Sequence, residues 1–88
     1  MTELIYFTGP HCAVCHALRP KLLKAVEESF PNVAVKIIDV EKDPLTAGQS
    51  MVFTLPVVII KSEEKEVTRF ARSFSIQQVL NILQRIKY

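Results

Sequence analysis

The segment LIYFTGPHCAVCH, residues 4–16, contains an apolar run near the start of the chain and both of its cysteines. Gly9-Pro10 ends the apolar run, which predicts a buried strand followed by a turn. Cys12 and Cys15 come directly after that turn, with His16 beside them. Cys-x-x-Cys-His is the attachment signature of c-type haem, whereas Cys-x-x-Cys near a strand–helix–strand unit indicates a thiol–disulfide centre. The remainder of the chain decides between these two interpretations.

Length and composition limit the kind of domain that can contain residues 4–16. The chain has 88 residues, 49% of them hydrophobic, so it can form one domain, residues 1–88, whose core needs no metal or set of disulfides. The net charge of +2 includes no dense basic tract, which gives no reason to expect nucleic acid or a membrane as a partner. The sequence shows no apolar run of about 20 residues, no basic leader and no secreted disulfide scaffold. We therefore expect a monomeric, cytoplasmic domain.

Hydrophobic periodicity predicts the order of the elements. After Cys12, apolar residues recur every fourth position as in an amphipathic helix, in which Pro20 is expected to cause a kink. The β-branched residues of Val33–Val40 favour a strand at the centre of the sheet. The predicted elements are a strand at Leu4–Thr8, a helix from Cys12 to Phe30, a strand at Val33–Val40, a short helix at Asp43–Ser50, a strand at Pro56–Ile60, a charged turn at Lys61–Glu66, a returning edge strand at Val67–Phe70 and a helix opened by a Ser75/Gln78 capping box.

This order, β-α-β-α-β-β-α, predicts an α/β fold with a mixed four-stranded sheet flanked by helices. A small c-type cytochrome would be largely helical, and a haem at Cys12, Cys15 and His16 would need a second axial ligand. Met51 is the one sensible methionine for that position, and we expect it to pack in an apolar stretch instead. A structural zinc site would need a second, distant pair of ligands. We therefore expect a thiol–disulfide centre with neither metal nor cofactor.

The chain resembles the thioredoxin superfamily. In that family a strand leads into Cys-x-x-Cys at the start of a helix that a proline kinks. The resemblance implies that the Leu55–Pro56 peptide bond is cis and that Pro56 packs against the disulfide. It covers the chain except the family's usual first strand and helix, and so implies a minimal thioredoxin-like fold, near a glutaredoxin in size. The residues that carry it are Phe7, Cys12, Cys15, Pro20, Pro44, Pro56 and Ser75.

The two cysteines are expected to have different roles. Cys12 lies at the start of a helix, where unsatisfied N–H groups and the macrodipole favour an anion, so it should be the attacking thiolate. Cys15, one turn further on, should resolve the mixed disulfide. The expected function is a thiol–disulfide oxidoreductase acting on protein substrates and recharged by an upstream reductase or dithiol donor. A redox-sensing or binding module, in which the dithiol is a switch and not a catalyst, remains the alternative.

Three further residues are candidates for shaping the site. Protonated His11 or His16 would lower the pKa of Cys12, although either can equally be a neutral surface residue. Tyr6 stands where thioredoxins carry a buried acidic residue, and Ile37 where a basic residue is expected. Tyr6 can hydrogen-bond near the site or simply pack in the core.

Substrate contacts are implied by the resemblance. The backbone of Leu55, the residue before the cis-proline, would pair with an extended substrate segment, with Thr54 and Phe53 beside it. Phe53 is either an exposed aromatic facing the partner or a buried packing residue. Residues 61–75 contain no glycine, unlike the glutathione-binding segment of glutaredoxins, so protein substrates are favoured over glutathione. Ala13-Val14, between the cysteines, leaves the direction of the chemistry open.

Overall fold

The computed structural model describes residues 1–87 and contains the predicted order of elements. Helices cover both faces of a mixed four-stranded sheet, which confirms the predicted fold class. The elements are β1 (Thr2–Thr8), α1 (Ala13–Ser29), β2 (Ala34–Asp39), α2 (Pro44–Gln49), β3 (Val57–Ser62), β4 (Lys65–Ala71) and α3 (Ile76–Lys87).

The strand order is β2-β1-β3-β4. β1 runs parallel to β2 and antiparallel to β3, and β3 pairs antiparallel with β4. The prediction that β2 is central was wrong, because β2 lies at the edge of the sheet and exposes Val35 and Ile37. Its β-branched composition correctly indicated a strand, but strand propensity does not specify which neighbours a strand pairs with. The two inner positions belong to β1 and β3.

Two apolar clusters lie on opposite faces of the sheet, because successive side chains of a strand alternate between faces. Leu4 and Tyr6 of β1 pack in the first cluster with buried residues of α1 and α3. Ile5 and Phe7 pack in the second cluster, which includes Ala47 of α2. β1 is therefore buried on both faces, as its unbroken apolar run indicates.

The turn between β3 and β4 is shorter than the predicted segment Lys61–Glu66. β3 continues to Ser62 and β4 begins at Lys65, which leaves only Glu63 and Glu64 in the turn. Both have positive φ, 53° and 66°, as a two-residue hairpin with type I′ geometry requires. Lys61, Lys65 and Glu66 therefore belong to the strands, because their backbones pair in the sheet while their side chains face the solvent.

Local signals set the helix starts. Asp43 Oδ1 accepts a hydrogen bond of 3.2 Å from Thr46 N–H at the start of α2. At the start of α3 the predicted capping box is present: Ser75 N–H donates to Gln78 Oε1 at 2.8 Å, and Gln78 N–H donates to Ser75 Oγ at 3.1 Å. α1 continues through Pro20 to Ser29. The kink at Pro20 stays a prediction.

Candidate active site

Cys12 and Cys15 form a disulfide at the start of α1, with their Cα atoms 5.2 Å apart. Cys12 is the N-cap of the helix, in an extended conformation with φ −102° and ψ 95°. Its N–H donates to the carbonyl of Gly9 at 3.2 Å, which closes the turn between β1 and α1. The buried end of β1 thus fixes where the disulfide lies.

The surroundings of the two sulfur atoms differ. The N–H of Cys15 donates to Cys12 Sγ at 3.2 Å, and the first turn of α1 contains no acidic residue. The same N–H group and the helix macrodipole favour negative charge on Cys12 once the disulfide is reduced. Cys12 is half-buried, whereas Cys15 is fully buried. An external disulfide can therefore reach Cys12 and not Cys15, which supports the roles expected from the sequence.

Tyr6 lies directly beneath this turn. Its side chain is fully buried in the first cluster, and its hydroxyl donates to the carbonyl of Cys15 at 2.7 Å. Burial raises the pKa of Tyr6 above 10.0, opposed in part by the positive charge of Arg19, so the phenol is neutral near pH 7. The two interpretations of Tyr6 therefore hold together, since one side chain both packs in the core and contacts the cysteine turn. Ile37 is its register partner on β2.

The Leu55–Pro56 peptide bond is cis, as the resemblance implies. Pro56 is buried, while half-buried Leu55 packs against both apolar clusters. Gly9 approaches Leu55 closely: a Cβ atom on Gly9 would lie 3.0 Å from Leu55 Cδ1. From the sequence Gly9 is only a turn residue, because no local pattern shows which side chain will pack over it.

Phe53 is exposed, with 83% of its surface accessible, so the buried alternative is wrong. Thr54 is half-buried. Met51 is also exposed, at 67%, which contradicts the expectation that it packs. The reason is alternation within the segment, since Val52 turns inward and its two neighbours turn outward.

A charged pair on β4 holds the segment that leads to Phe53. Arg69 makes two bonds of 2.7 Å to the carboxylate of Glu66 and donates to the carbonyls of Ser50 at 3.0 Å and Met51 at 3.3 Å. The hydrogen bond lowers the pKa of Glu66 and raises that of Arg69. Met51 has φ 58°, and it follows the end of α2 where Val52 N–H bonds back to Ala47. The sequence predicted Glu66 in a charged turn and Arg69 in the returning strand, and no local pattern indicates that Arg69 reaches Ser50 and Met51.

Both histidines lie near the loop between β2 and α2. His11 is exposed, and its Nε2 atom lies 4.0 Å from a carboxylate oxygen of Glu41. His16 lines a groove of about 440 Å³ together with Arg19 and Thr8. The Thr8 hydroxyl is buried and has no hydrogen-bond partner among residues 1–87. The roles of His11 and His16 as modulators of the Cys12 pKa stay predictions.

Within residues 1–87, no three His, Cys, Asp or Glu side chains are placed to hold a metal ion. No helix in that range has the length and apolar character needed to cross a membrane. The expectation that the cysteines work without metal or cofactor stays a prediction.

Comparisons with known proteins agree with this geometry. The family model Thioredoxin matches residues 1–85. Thioredoxin-like protein YdfQ of Bacillus subtilis (strain 168) is 35% identical over 84 residues, which are 96% of this chain and 74% of that protein. A thioredoxin of Chlamydia trachomatis is 33% identical over 66 residues, 75% of this chain and 64% of its own length. Thioredoxin 1 from Thermosipho africanus TCF52B superposes with a TM-score of 0.86 at 39% identity, covering 96% of this chain and 92% of that structure.

Proposed function

This chain belongs to the thioredoxin family and is a thiol–disulfide oxidoreductase, and from that premise we propose that it reduces disulfides in other proteins. The observation that carries the proposal is the unequal burial of the two cysteines at one helix start. Half-buried Cys12 accepts an N–H bond at its sulfur, and fully buried Cys15 stands one turn behind it. That arrangement suits one attacking and one resolving sulfur.

The proposed cycle begins with the reduced protein. The Cys12 thiolate attacks one sulfur of the substrate disulfide, the substrate S–S bond breaks, and the departing thiolate takes up a proton. The Cys15 thiol then loses its proton and attacks Cys12 Sγ, which breaks the mixed disulfide and releases the second substrate thiol. Two electrons and two protons have passed to the substrate, and the Cys12–Cys15 disulfide has formed. A dithiol donor or an upstream reductase would restore the reduced state.

The open backbone beside the cis-proline supports a protein substrate. Among residues 1–87, the backbone of Phe53, Thr54 and Leu55 makes no hydrogen bond to another backbone group. An extended substrate segment can supply those bonds by adding as a short strand at Leu55. The exposed ring of Phe53 would then cover an apolar residue of the substrate, and half-buried Thr54 would line the same contact.

The cytoplasm is the proposed compartment. Thiols there are kept reduced, so a dithiol such as Cys12 and Cys15 can be recharged after each turnover. A reductase that reaches Cys12 would meet the same exposed surface as the substrate.

A trapping experiment tests the proposal. The Cys15→Ser variant cannot resolve the mixed disulfide, so it should accumulate disulfide-linked complexes with several proteins that dithiothreitol releases. The Cys12→Ser variant, which keeps the buried cysteine, is the matched control and should trap none. Insulin reduction driven by dithiothreitol should be accelerated by the unaltered protein. No acceleration, together with trapping of one single partner, would favour the sensing module.

A further inference from the structure

Arg72 is held beside the candidate active site through its backbone. Ala71, the last residue of β4, pairs with Val57, and the next N–H group, that of Arg72, donates to the carbonyl of Pro56 at 2.9 Å. Pro56 follows Leu55, the residue proposed to pair with the substrate. Arg72 therefore lies beside the proposed path of the substrate segment.

The backbone of Arg72 has an unfavourable conformation. Its φ is 65°, in the left-handed region that glycine adopts freely and other residues adopt rarely. In Glu63 and Glu64 the same conformation makes a two-residue turn, but Arg72 joins a strand to a longer loop before α3. Non-glycine residues held in this region cluster at functional sites. A long charged side chain where glycine would fit without strain indicates that the side chain itself has a role.

The guanidinium of Arg72 differs from that of Arg69, three residues earlier on the chain. Arg69 is occupied by Glu66 and by two carbonyl groups. Arg72 is exposed, and no side-chain hydrogen bond or ion pair within residues 1–87 involves it. A guanidinium carries five N–H donors in a planar arrangement that matches a carboxylate. Arg72 thus carries an unused carboxylate-binding group on a residue whose backbone is bonded to the cis-proline.

We propose that Arg72 makes this protein prefer substrates in which an acidic residue lies next to the reactive cysteine. The inference rests on the proposed function, because it assumes that a protein segment binds along Leu55. The carboxylate of that residue would pair with the guanidinium of Arg72 while the substrate disulfide approaches Cys12. The interaction concerns binding of the substrate and leaves the thiol–disulfide steps unchanged.

Two disulfide-bonded reporter peptides test the preference. They differ only at the positions next to the cysteine, where one carries Asp and the other Asn. The unaltered protein should reduce the Asp peptide with a kcat/KM about two- to five-fold higher at low ionic strength, the size expected for one exposed ion pair. High salt should remove the difference.

Variants assign that preference to one side chain. Arg72→Gln should abolish the preference, and Arg72→Lys should retain most of it. Arg72→Gly should abolish it while raising the melting temperature, which shows that the protein still folds. Arg85→Gln, an exposed arginine on α3, removes the same charge away from the site and should change nothing. Equal rates on both peptides, or a preference that persists in Arg72→Gln, would overturn the inference alone, whereas failure to reduce either peptide would overturn the proposed function and the inference with it.

Discussion

The two ends of the sheet use the same unusual backbone conformation for different purposes. At the hairpin end, Glu63 and Glu64 have φ of 53° and 66°, and at the cysteine end, Met51 and Arg72 have φ of 58° and 65°. The hairpin residues are adjacent and simply reverse the chain. The other two are far apart in sequence, and each is bonded to a distant residue: the carbonyl of Met51 accepts from Arg69, and the N–H of Arg72 donates to Pro56. The same unfavourable backbone conformation therefore reverses the chain at the hairpin end, whereas at the cysteine end it occurs in residues that are bonded to distant parts of the chain.

The ends also differ in burial. The amino group of Met1 makes an exposed ion pair of 2.9 Å with Glu63, which lowers the pKa of that carboxylate through the hydrogen bond. At the cysteine end, Tyr6 makes its hydrogen bond to Cys15 in the core. Exposed ion pairs contribute little to stability, whereas a buried polar group that loses its partner is costly. Substitutions that remove the buried hydrogen bond should thus lower the free energy of unfolding more than substitutions that remove the exposed ion pair.

Replacing the proposed attacking sulfur should give the largest difference in activity between variants at the two ends. In Cys12→Ser, insulin reduction should fall to the rate measured without protein, because a hydroxyl does not form the mixed disulfide. Glu63→Gln, at the other end, should reduce insulin at the rate of the unaltered protein. A Cys12→Ser variant that retains activity would show that the chemistry lies elsewhere.

Truncating the exposed aromatic should change binding and not stability. In Phe53→Ala, the KM for a protein disulfide should rise about three- to ten-fold, because complete burial of a Phe side chain is worth about 1.5–3 kcal/mol and the complex would bury only part of it. The melting temperature should stay the same, since the ring is 83% exposed. Val67→Ala, an exposed apolar residue on β4, is the control and should alter neither quantity. An unchanged KM in Phe53→Ala would place the substrate contact elsewhere.

Loss of the buried hydrogen bond from Tyr6 to Cys15 should measurably lower the free energy of unfolding. Tyr6→Phe keeps the ring and removes the hydroxyl, which should lower the free energy of unfolding by about 1 kcal/mol. For a chain of this size that corresponds to about 4–8 °C in melting temperature. Thermal unfolding followed by circular dichroism measures it, with Tyr6→Phe and Glu63→Gln compared side by side. Equal melting temperatures for the two variants would contradict the difference in burial.

The ion pair of Glu66 should make stability depend on pH. Its pKa is lowered below 4.5 by Arg69, so its contribution is present above about pH 5 and is lost as the pH falls through the lowered pKa. Glu66→Gln should therefore be less stable than the unaltered protein at pH 7, by no more than about 1 kcal/mol because the pair is partly exposed. The difference should shrink towards pH 3. Melting curves between pH 3 and 7 would reveal it, and a gap that is constant with pH would contradict the assignment.

The smallest effect should come from the hairpin turn. Glu64→Gly relieves the left-handed conformation, a gain that the greater freedom of the unfolded chain partly cancels, so stability should rise by about 0.5 kcal/mol. Activity should not change. A chemical denaturation midpoint lower than that of the unaltered protein would show that the turn does not need glycine-like freedom.

Much of the fold could be predicted because its signals are local. The apolar run is β1 itself. The Asp43 cap and the Ser75/Gln78 box lie at the first turn of the helices that they start. The position of β2 could not be predicted, because the strand order depends on pairing between segments that are distant along the chain.

In the candidate site, too, some residues could be predicted from the sequence and others could not. Cys12, Cys15 and Pro56 could be located from spacing and resemblance. The contacts of Arg69 with Ser50 and of Gly9 with Leu55 could not, because they join residues with no periodic relation to one another. Arg72 gives no sequence signal either, since a positive φ at arginine has no compositional signature.

The hydrogen bond from Tyr6 to Cys15 also limits how the site can move. A helix ordinarily opens first at its ends, and such fraying exposes the terminal amides to exchange with solvent. Here the carbonyl of Cys15 is bonded to a fully buried side chain of an inner strand, so the first turn of α1 cannot unwind without breaking a contact inside the core. We expect the amide of His16, whose N–H donates to the carbonyl of Cys12 at 3.2 Å, to exchange far more slowly than the amides of Ala13 and Val14, which come first in the helix and have no intrahelical partner. The sulfur proposed to attack the substrate is half-buried, while the carbonyl one turn behind it is fixed to the core.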